Sequence, residues 1–343
     1  MEPKQQSLCE ALDHQISTPS EATVESIRER PKGFAVLGAG GKMGFHLCLM
    51  LRKSLKMLGR SDTVYAVSRF SSVRGRQEFD AIGCETIVAD LSDPDQVRHV
   101  PRVPNVFFMA GVKFGTGNDP DLLQRMNVAM PRLVAEHARE AEIVAFSTGC
   151  VYSFVAPESG GSTEADETKP IGQYANSCRG REQAFFHAGR EFGTRSALIR
   201  LNYSIDCRYG VLVDLAQKVA GGHDVDVTMG YVNVIWQGDA LQYIVQSLSH
   251  ASAPPFVLNV TGSETLSVRE LALQLGKRFG KTVNFVGEEA STAWLNNAEK
   301  SHAMFGSPPT TIDTMLDRVV DWIQKGGPLM GKPTHFETRD GSY

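Results

Sequence analysis

The sequence has no apolar run near the roughly 20 residues that a membrane-spanning helix requires. Its first residues, MEPKQQSLCEALDHQ, lack the basic and then apolar order of a secretory signal. It also lacks an excess of either charge, because the formal net charge is -4 and the pI is about 6.2. That balance excludes the basic footprint of a nucleic-acid-binding protein. We therefore expect a cytoplasmic globular protein with neither membrane nor nucleic acid as a partner.

Cysteine is sparse and scattered. The six cysteines are Cys9, Cys48, Cys84, Cys150, Cys178 and Cys207. None of the spacings matches the pairs that bind metals or the framework of a small disulfide-linked domain. We predict reduced thiols and no metal site.

Short β-rich runs alternate with helical stretches from residue 34 to residue 201, which is typical of a doubly wound parallel sheet of the Rossmann type. The predicted strands are residues 34–38, 63–68, 85–90, 105–111, 143–148 and 196–201. Beyond residue 203 the pattern becomes mostly helical, which indicates a smaller C-terminal substrate lobe. The 343 residues, 42% of them hydrophobic, are enough for both.

The predicted division has three parts. Residues 1–31 form a helical extension whose helix starts at Thr18-Pro19-Ser20-Glu21. Residues 32–203 form the dinucleotide-binding domain, to which 233–260 return. The substrate lobe and tail comprise 204–232 and 261–343.

A glycine-rich turn, VLGAGGKMG, follows the first predicted strand and opens a predicted helix. Gly38, Gly41 and Gly44 give a tight turn and let the backbone approach a pyrophosphate, which the amides at the start of the helix would attract. This position in the fold distinguishes a dinucleotide site from an isolated glycine pattern.

Several further segments, read with that turn, carry a resemblance to a known family. They are Ala89-Asp90-Leu91, AGVKFG (110–115), RMNVAMPRLV (125–134), FSTGCVYS (146–153), YANSC (174–178) and LIRLNY (198–203). Together they resemble the extended short-chain dehydrogenase/reductase superfamily, also called the NAD-dependent epimerase/dehydratase family, over about residues 33–260. The resemblance implies that Tyr174 and Thr148 are catalytic. It also implies a homodimer and a cofactor site made by Gly38, Gly41, Lys42, Met43, Gly44, Ser68, Arg69, Asp90, Leu91, Ala110, Gly111, Lys113 and Asn127.

The second predicted strand ends in Ser68 and Arg69, without the acidic residue that selects NAD by repelling a 2′-phosphate. Arg69 could pair with such a phosphate, with Arg74 and Arg76 as further candidates. NADP is therefore slightly preferred over NAD. Solvated arginines on a loop remain the alternative.

Cys178 stands four residues after Tyr174, where the family has a lysine. A cation there favours the tyrosine phenolate, whereas a thiol gives almost no field. Three interpretations stay open. In the first, another cation substitutes: the nicotinamide, Lys113, Lys42, or Arg181, although a rise of roughly 10 Å along the helix makes Arg181 a poor direct partner. In the second, Tyr174 works as a neutral proton donor beside Thr148. In the third, the chain binds a dinucleotide without catalysis. Cys178 as a nucleophile is a weaker idea, because no histidine lies near it in sequence.

The substrate side is less specific. The candidates are Asn202, Tyr203, Arg208, Asn233 and Trp236. Arg208 could bind an anion with both ends of its guanidinium, and structural hydrogen bonds are an equal alternative. Asp239 is expected at a helix start rather than at a ligand. The tail GKPTHFETRDGSY is expected to be solvated, with folding back over the substrate mouth or onto a partner subunit as the alternative.

The sequence thus predicts an NAD(P)-dependent oxidoreductase or epimerase that acts on a sugar or sugar-acid-like small molecule by hydride transfer. The competing hypothesis is a catalytically inactive dinucleotide-binding sensor or scaffold. Retention of Thr148 and Tyr174 favours catalysis, and the loss of the lysine favours the sensor.

Overall fold

One parallel sheet of seven strands organises the chain. The computed structural model describes residues 3–71, 74–113 and 119–341. The strands are β1 (Phe34–Leu37), β2 (Val64–Ser68), β3 (Glu85–Val88), β4 (Asn105–Phe108), β5 (Glu142–Thr148) and β6 (Arg195–Leu201), with the edge strand Phe256–Val260 far along the chain. Across the sheet the order is edge strand, β6, β5, β4, β1, β2, β3, and all pairs are parallel. This order confirms the predicted Rossmann-type fold.

Helices flank the sheet, and the side chains of its strands alternate between two cores. Phe34 and Val36 face a core that contains the helix after β1, whereas Ala35 and Leu37 face a second core. The period of two in strand side chains explains this division. The helices up to β6 are α1 (Pro3–Ile16), α2 (Glu21–Ser26), α3 (Gly44–Met57), α4 (Arg76–Ala81), α5 (Pro94–Val97), α6 (Pro120–Gln124), α7 (Met130–His137) and α8 (Gly172–Phe192), with a π-helical turn at Arg125–Ala129.

The predicted strands are all present, but β3 and β4 are shorter than expected. The runs predicted as 85–90 and 105–111 end as strands at Val88 and Phe108. Their last residues leave the sheet as loops at its carboxyl edge. Apolar character continues past the strand ends because these loops remain partly buried.

The chain after β6 builds smaller units. Its strands are β7 (Ser204–Ile205), β8 (Val225–Asp226), β9 (Tyr231–Val232), β10 (Ile235–Trp236), β11 (Phe256–Val260), β12 (Leu266–Ser267) and β13 (Phe285–Val286). β11 is the edge strand beside β6 in the main sheet, and the others pair as β7 with β10, β8 with β13 and β9 with β12. The helices are α9 (Val211–Gly221), α10 (Gln237–Gln246), α11 (Val268–Phe279), α12 (Glu299–Phe305) and α13 (Ile312–Gln324). Among the described residues, no helix is both long and apolar enough to cross a membrane.

The N-terminal extension contains two helices, of which the sequence predicted one. α2 begins after Ser20, whose Oγ accepts a hydrogen bond from the Thr23 amide at 3.2 Å. α1 was not predicted, because its apolar positions form no strong periodic face.

A buried cluster of charges fixes α1 to the rest of the protein. Asp13 on α1 lies 2.8 Å from His46 Nε2 on α3, and it accepts a hydrogen bond from Arg208 Nη1 at 2.8 Å. Arg74 contacts the second oxygen of Asp13, and Arg208 also pairs with the fully buried Asp206 at 3.0 Å. Burial would raise the pKa of Asp13, but the hydrogen bond from His46 and the charges of Arg208 and Arg74 hold it well below its usual value. Asp13 is therefore ionised at neutral pH.

We predict that Asp13→Asn lowers the free energy of unfolding by about 3–5 kcal/mol, because Arg208 is left buried without one of its carboxylates. Urea unfolding measures the change. The folded-state pKa lies below the unfolded value of about 3.9, so this stabilisation is present above about pH 4 and fades as the pH falls further. The wild type should therefore lose more stability than the variant in that acidic range. Glu10→Gln, an exposed change on the same helix, serves as the control and should stay within about 0.5 kcal/mol.

Candidate functional site

A cavity of about 260 Å³ opens at the carboxyl edge of the sheet, where the strand order reverses between β1 and β4. Ligands of open α/β sheets bind at such a point, because the loops from neighbouring strands diverge there. The lining residues are Lys42, Met43, Met109, Gly111, Val112, Lys113, Phe146, Ser147, Thr148, Cys150, Tyr174, Arg181, Leu201, Asn202, Tyr203, Ser204, Tyr209, Gly210, Val211 and Thr334.

The glycine-rich turn lies between β1 and α3, as predicted. Gly38 has φ +89°, and a Cβ there would lie 2.6 Å from the amide nitrogen of Ala110. A Cβ on Gly44 would lie 2.2 Å from the carbonyl oxygen of Ala39, at the residue where α3 begins. Both positions therefore need glycine for close backbone packing. Gly41 is exposed beside them.

The end of β2 bears Ser68 and Arg69 without an acid, yet Arg69 has an acidic neighbour. Its Nη1 lies 3.6 Å from Oδ2 of Asp90, which follows β3. Burial raises the pKa of Asp90, but hydrogen bonds from the Ser92 hydroxyl and amide and the charge of Arg69 outweigh it and lower the pKa. Leu91, beside Asp90, is buried.

The other two arginines suggested for a 2′-phosphate are already engaged. Arg74 contacts Asp13 and Glu78, and Arg76 donates to Thr86 at 2.6 Å. Arg69 and Arg76 are similarly exposed, with 57% and 58% of their side chains accessible, so Arg69 is distinguished by its position directly after β2.

Asn127 does not reach the cavity. It is fully buried in the π-helical turn, where its amide donates to the Val112 carbonyl at 2.8 Å and to Ser177 Oγ at 2.9 Å. Its Oδ1 accepts from the Val112 amide and from Arg181 Nη2, at 3.0 and 2.6 Å. Asn127 therefore fixes the loop after β4 to α8, which corrects the expectation of a cofactor contact.

The two predicted catalytic residues do line the cavity together. Thr148 is the last residue of β5, and its Oγ1 accepts from the Cys150 amide at 3.3 Å. Tyr174 lies in the first turn of α8, and Lys113 Nζ stands 5.8 Å from the centre of its ring. Burial, and next the neighbouring Cys178, raise the pKa of Tyr174 well above its usual value. Its hydroxyl is therefore protonated at neutral pH.

Cys178 is fully buried against Val151 and Tyr152. Burial raises the pKa of its thiol. A buried, protonated thiol is a poor nucleophile, so the structure gives Cys178 a packing role beside Tyr174.

Three cations line the cavity, and none of its described lining residues carries a carboxylate. Lys42 donates to the Ser204 carbonyl at 3.0 Å and lies 3.9 Å from the ring centre of Tyr209, and burial lowers its pKa to about 8. Burial also lowers the pKa of Lys113. The third cation, Arg181, was expected to be too far from Tyr174, but the structure brings it into the same cavity. This excess of positive charge in the lining suits an anionic ligand.

The substrate candidates separate into two groups. Asn202 and Tyr203 line the cavity, and Tyr203 has φ 40°, a left-handed conformation that non-glycine residues rarely adopt. Arg208, Asn233 and Trp236 do not line it.

The second group has structural partners instead. Arg208 belongs to the buried cluster around Asp13, which corrects its assignment to an anionic substrate. The side chain of Asn233 accepts from the Asn296 amide at 2.8 Å. Trp236 is buried, and Arg318 lies 4.8 Å from its ring centre. Asp239 lies in the first turn of α10 and accepts from the Thr310 amide at 3.1 Å, away from the cavity.

With this geometry in place, comparison with known proteins identifies the fold. No family model and no curated protein sequence matches the chain. Among solved structures, it is similar to the UDP-glucose 4-epimerase of Thermotoga maritima with UDP-glucose (TM-score 0.70, 16% identity, 86% of this chain and 99% of that one). It is also similar to the dTDP-glucose 4,6-dehydratase of Streptomyces venezuelae with NAD and TYD (TM-score 0.72, 18% identity, 85% and 97%). The UDP-glucuronic acid 4-epimerase of Bacillus cereus with UDP-glucuronic acid and NAD gives a TM-score of 0.71 at 18% identity. The alignment covers 85% of this chain and 99% of that one.

This is the fold of the extended short-chain dehydrogenase/reductases. The likeness covers nearly the whole of each solved chain, so it includes much of the chain after β6 as well as the parallel sheet. Because the identities lie below one fifth, the comparisons establish the fold, and the chemistry has to be argued from the cavity.

Within this fold, the C-terminal tail forms part of the cavity wall. Thr334 lines the cavity, and its amide and hydroxyl donate to Asp214 Oδ2 on α9 at 2.7 and 2.6 Å. Phe336 is fully buried, and Arg339 donates to the Thr292 carbonyl at 2.6 Å. The tail therefore folds back onto the protein, which corrects the expectation of a solvated tail.

The end of the described tail reaches the helix that carries Tyr174. A Cβ on Gly341 would lie 2.4 Å from the Ile171 carbonyl, and one on Gly172 would lie 2.7 Å from the Gly341 carbonyl. Gly172 is the first residue of α8. One segment thus closes the cavity at Thr334 and packs against the start of the helix bearing Tyr174.

Several lining residues were missed from the sequence. They are Met109, Val112, Phe146, Ser147, Cys150, Leu201, Ser204, Gly210, Val211 and Thr334. Most lie within one to three residues of a predicted strand end or motif, so counting outward from the strand ends would have found them. Thr334 had no such signal, because its position depends on a tertiary contact with Asp214.

We predict that Thr334→Val loosens the tail, because Asp214 loses its hydroxyl donor in a buried setting. Hydrogen–deuterium exchange should rise in residues 331–341 and at the start of α8. Thr338→Val is the control, because its hydroxyl is not part of this anchor, and exchange there should match the wild type. Unchanged exchange in the Thr334 variant would show that the hydroxyl does not hold the tail.

Proposed function

We propose that this protein is an NAD(P)-dependent oxidoreductase or epimerase that acts on a sugar or sugar-acid-like molecule. The observation that carries the proposal is the meeting of Thr148 and Tyr174 in one cavity at the switch point of the sheet. Residues 32–203, with 233–260, would bind the dinucleotide, and the remaining residues after 203 would bind substrate.

The residues present fit a dinucleotide. The turn with Gly38 and Gly44 is packed so closely that no side chain is tolerated at either position, and α3 begins there with its amides available to an anion. Lys42, in the glycine-rich turn, and Lys113, in the loop after β4, add positive charge to the lining. When bound, a nicotinamide cofactor supplies the donor or acceptor for a hydride.

Within the cavity, Tyr174 and Thr148 would interact with the reacting oxygen of the substrate. Thr148 Oγ1 would donate a hydrogen bond to a carbonyl oxygen, and Tyr174 Oη would transfer its proton to that oxygen. In a reduction the carbonyl carbon gains a hydride, the oxygen gains the proton of Tyr174, and the C=O double bond becomes a single bond. The phenolate then regains a proton from solvent.

The protonation state of Tyr174 favours that direction. Oxidation of an alcohol requires Tyr174 to accept a proton, hence to start as the phenolate, whereas reduction starts from the neutral phenol. Burial and the Cys178 thiol both favour the neutral form. We therefore propose carbonyl reduction as the direction that the free protein is ready to catalyse.

The substrate class follows from the lining. Lys42, Lys113 and Arg181 suit a ligand with a carboxylate or phosphate, and Asn202, Ser204 and Tyr209 offer partners for hydroxyl groups. Of the solved structures named above, the first contains UDP-glucose, the second NAD and TYD, and the third UDP-glucuronic acid and NAD. An acidic or nucleotide-linked sugar is thus our proposed substrate class.

The sensor hypothesis keeps one supporting observation. Cys178 occupies the position from which a lysine would act on Tyr174, and its buried thiol contributes no positive charge. A sensor would bind the dinucleotide equally well with or without the Tyr174 hydroxyl, and it would not turn over.

We predict that Tyr174→Phe lowers the rate of carbonyl reduction by about 10²–10⁴-fold with reduced dinucleotide, because the proton donor is lost. Absorbance of the reduced nicotinamide would be followed with keto-sugars, sugar acids and nucleotide sugars. Tyr231→Phe, which leaves the cavity unchanged, should behave as the wild type. Equal rates in the wild type and the Tyr174 variant would contradict the proposed role, and dinucleotide binding without turnover in the wild type would favour the sensor.

We further propose that Arg69 gives a slight preference for NADP by pairing with the 2′-phosphate. Arg69→Gln should weaken NADP binding about tenfold, which is about 1.4 kcal/mol, and leave NAD binding unchanged. Titration calorimetry with both cofactors measures the difference. Arg98→Gln, another exposed arginine, is the control. Equal weakening for both cofactors would instead assign Arg69 to the shared part of the dinucleotide.

A further inference from the structure

We propose that Arg181 supplies to Tyr174 the positive charge that a lysine at position 178 would otherwise supply. The inference deepens the proposed function and rests on it for its catalytic meaning. Arg181 is a positioning residue in this role, because it acts on the reacting oxygen through the phenol of Tyr174.

Helix geometry brings the two side chains to the same region. Seven residues rotate an α-helix by nearly two full turns, so Arg181 and Tyr174 share a face of α8. The rise between their Cα atoms is roughly 10 Å, but helical side chains lean toward the N-terminus. The long side chain of Arg181 can therefore span part of that rise, and both residues line the same cavity.

Two hydrogen bonds hold the guanidinium in place. Nη1 donates to the Phe146 carbonyl at 3.0 Å, and Nη2 donates to Asn127 Oδ1 at 2.6 Å. The space for it exists because residue 111 is glycine, where a Cβ would lie 2.1 Å from Nη2. Gly111 is two residues before Lys113, whose ammonium lies 5.8 Å from the centre of the Tyr174 ring, and these three residues line one cavity with Arg181.

The charge of Arg181 is not neutralised by a carboxylate among the described residues. The adjacent Glu182 is paired with Arg200, whose Nη2 and Nε lie 2.8 and 2.9 Å from its two oxygens. Arg181 itself forms none of the ion pairs in this part of the structure, and its buried Nε has no hydrogen-bond partner there. A buried guanidinium of this kind costs desolvation energy, which a purely structural bridge would not require.

The other groups facing Tyr174 do not serve the same purpose. Cys178 and Cys150 raise its pKa, whereas the field of Arg181 lowers it. Lys113 Nζ lies 5.8 Å from the ring centre, and it is not among the charges that lower the pKa of Tyr174, whereas Arg181 is. Arginine remains protonated at any relevant pH. Arg181 would therefore stabilise the phenolate that forms when Tyr174 gives up its proton.

The test replaces Tyr174 with 3,5-difluorotyrosine, whose phenol is more acidic, and follows its titration by fluorine NMR in the protein without ligands. Arg181→Gln removes the charge and retains an amide donor, and Arg181→Lys retains the charge. We expect Arg181→Gln to raise the titration point by about one to three pH units, and Arg181→Lys to stay near the wild type. Arg179→Gln, an exposed change on the same helix, should have no effect. Arg181→Met is a second neutral variant, used if glutamine prevents folding.

Two results would overturn the inference. One is an unchanged titration point in the neutral variants, and the other is an equal shift in the glutamine and lysine variants, which would assign the effect to the hydrogen bonds. The titration requires neither cofactor nor turnover, so it is independent of the proposed function. A titration shift in a protein that reduces no carbonyl would refute the function alone. Reduction that depends on Tyr174, without a titration shift, would refute the role of Arg181 alone.

Discussion

The guanidinium of Arg181 is the point on which the geometry of the cavity depends. Its hydrogen bonds join α8 to the end of β5 at Phe146 and to the π-helical turn at Asn127. Asn127 in turn holds the loop after β4 through both polar groups of Val112. Three separate parts of the chain are thereby fixed around Tyr174. The arrangement requires the small residue at Gly111, so a glycine that reads as part of a cofactor motif also makes room for this cation.

A second set of buried charges, around Asp13, joins other parts of the chain. Arg208 could have been a substrate ligand, but Asp13 and Asp206 bind its guanidinium, and it does not line the cavity. Because Asp206 and Arg208 follow β7, which directly adjoins the cavity wall at Ser204, the docking of α1 supports this wall from behind. The N-terminal helix α1 thus contacts the segment that follows the cavity wall, although α1 contributes no lining residue.

The parts that the sequence predicted are those with local signals. The strands were found by their β-rich runs, and Gly38, Thr148 and Tyr174 lie at strand ends or helix starts, whose positions the parallel sheet dictates. Arg208 was misassigned and Thr334 was missed because their roles depend on partners about 195 and 120 residues away, Asp13 and Asp214. Arg181 was misjudged for another reason. The rise per residue measures the distance between Cα atoms and does not say where the charged end of a long side chain lies, which here is in the cavity that Tyr174 also lines.

The same geometry explains why the site tolerates a cysteine at position 178. A lysine there would place a third cation beside Lys113 and Arg181, and the lining has no carboxylate to balance these three charges and that of Lys42. The thiol fills that space at no electrostatic cost and packs against Val151 and Tyr152. Moving the cation from one helical turn to two turns away therefore keeps a positive field at Tyr174 but weakens it with distance. A weaker field leaves the phenol neutral in the resting protein and acts most strongly once the phenolate forms, which is the requirement of a proton donor.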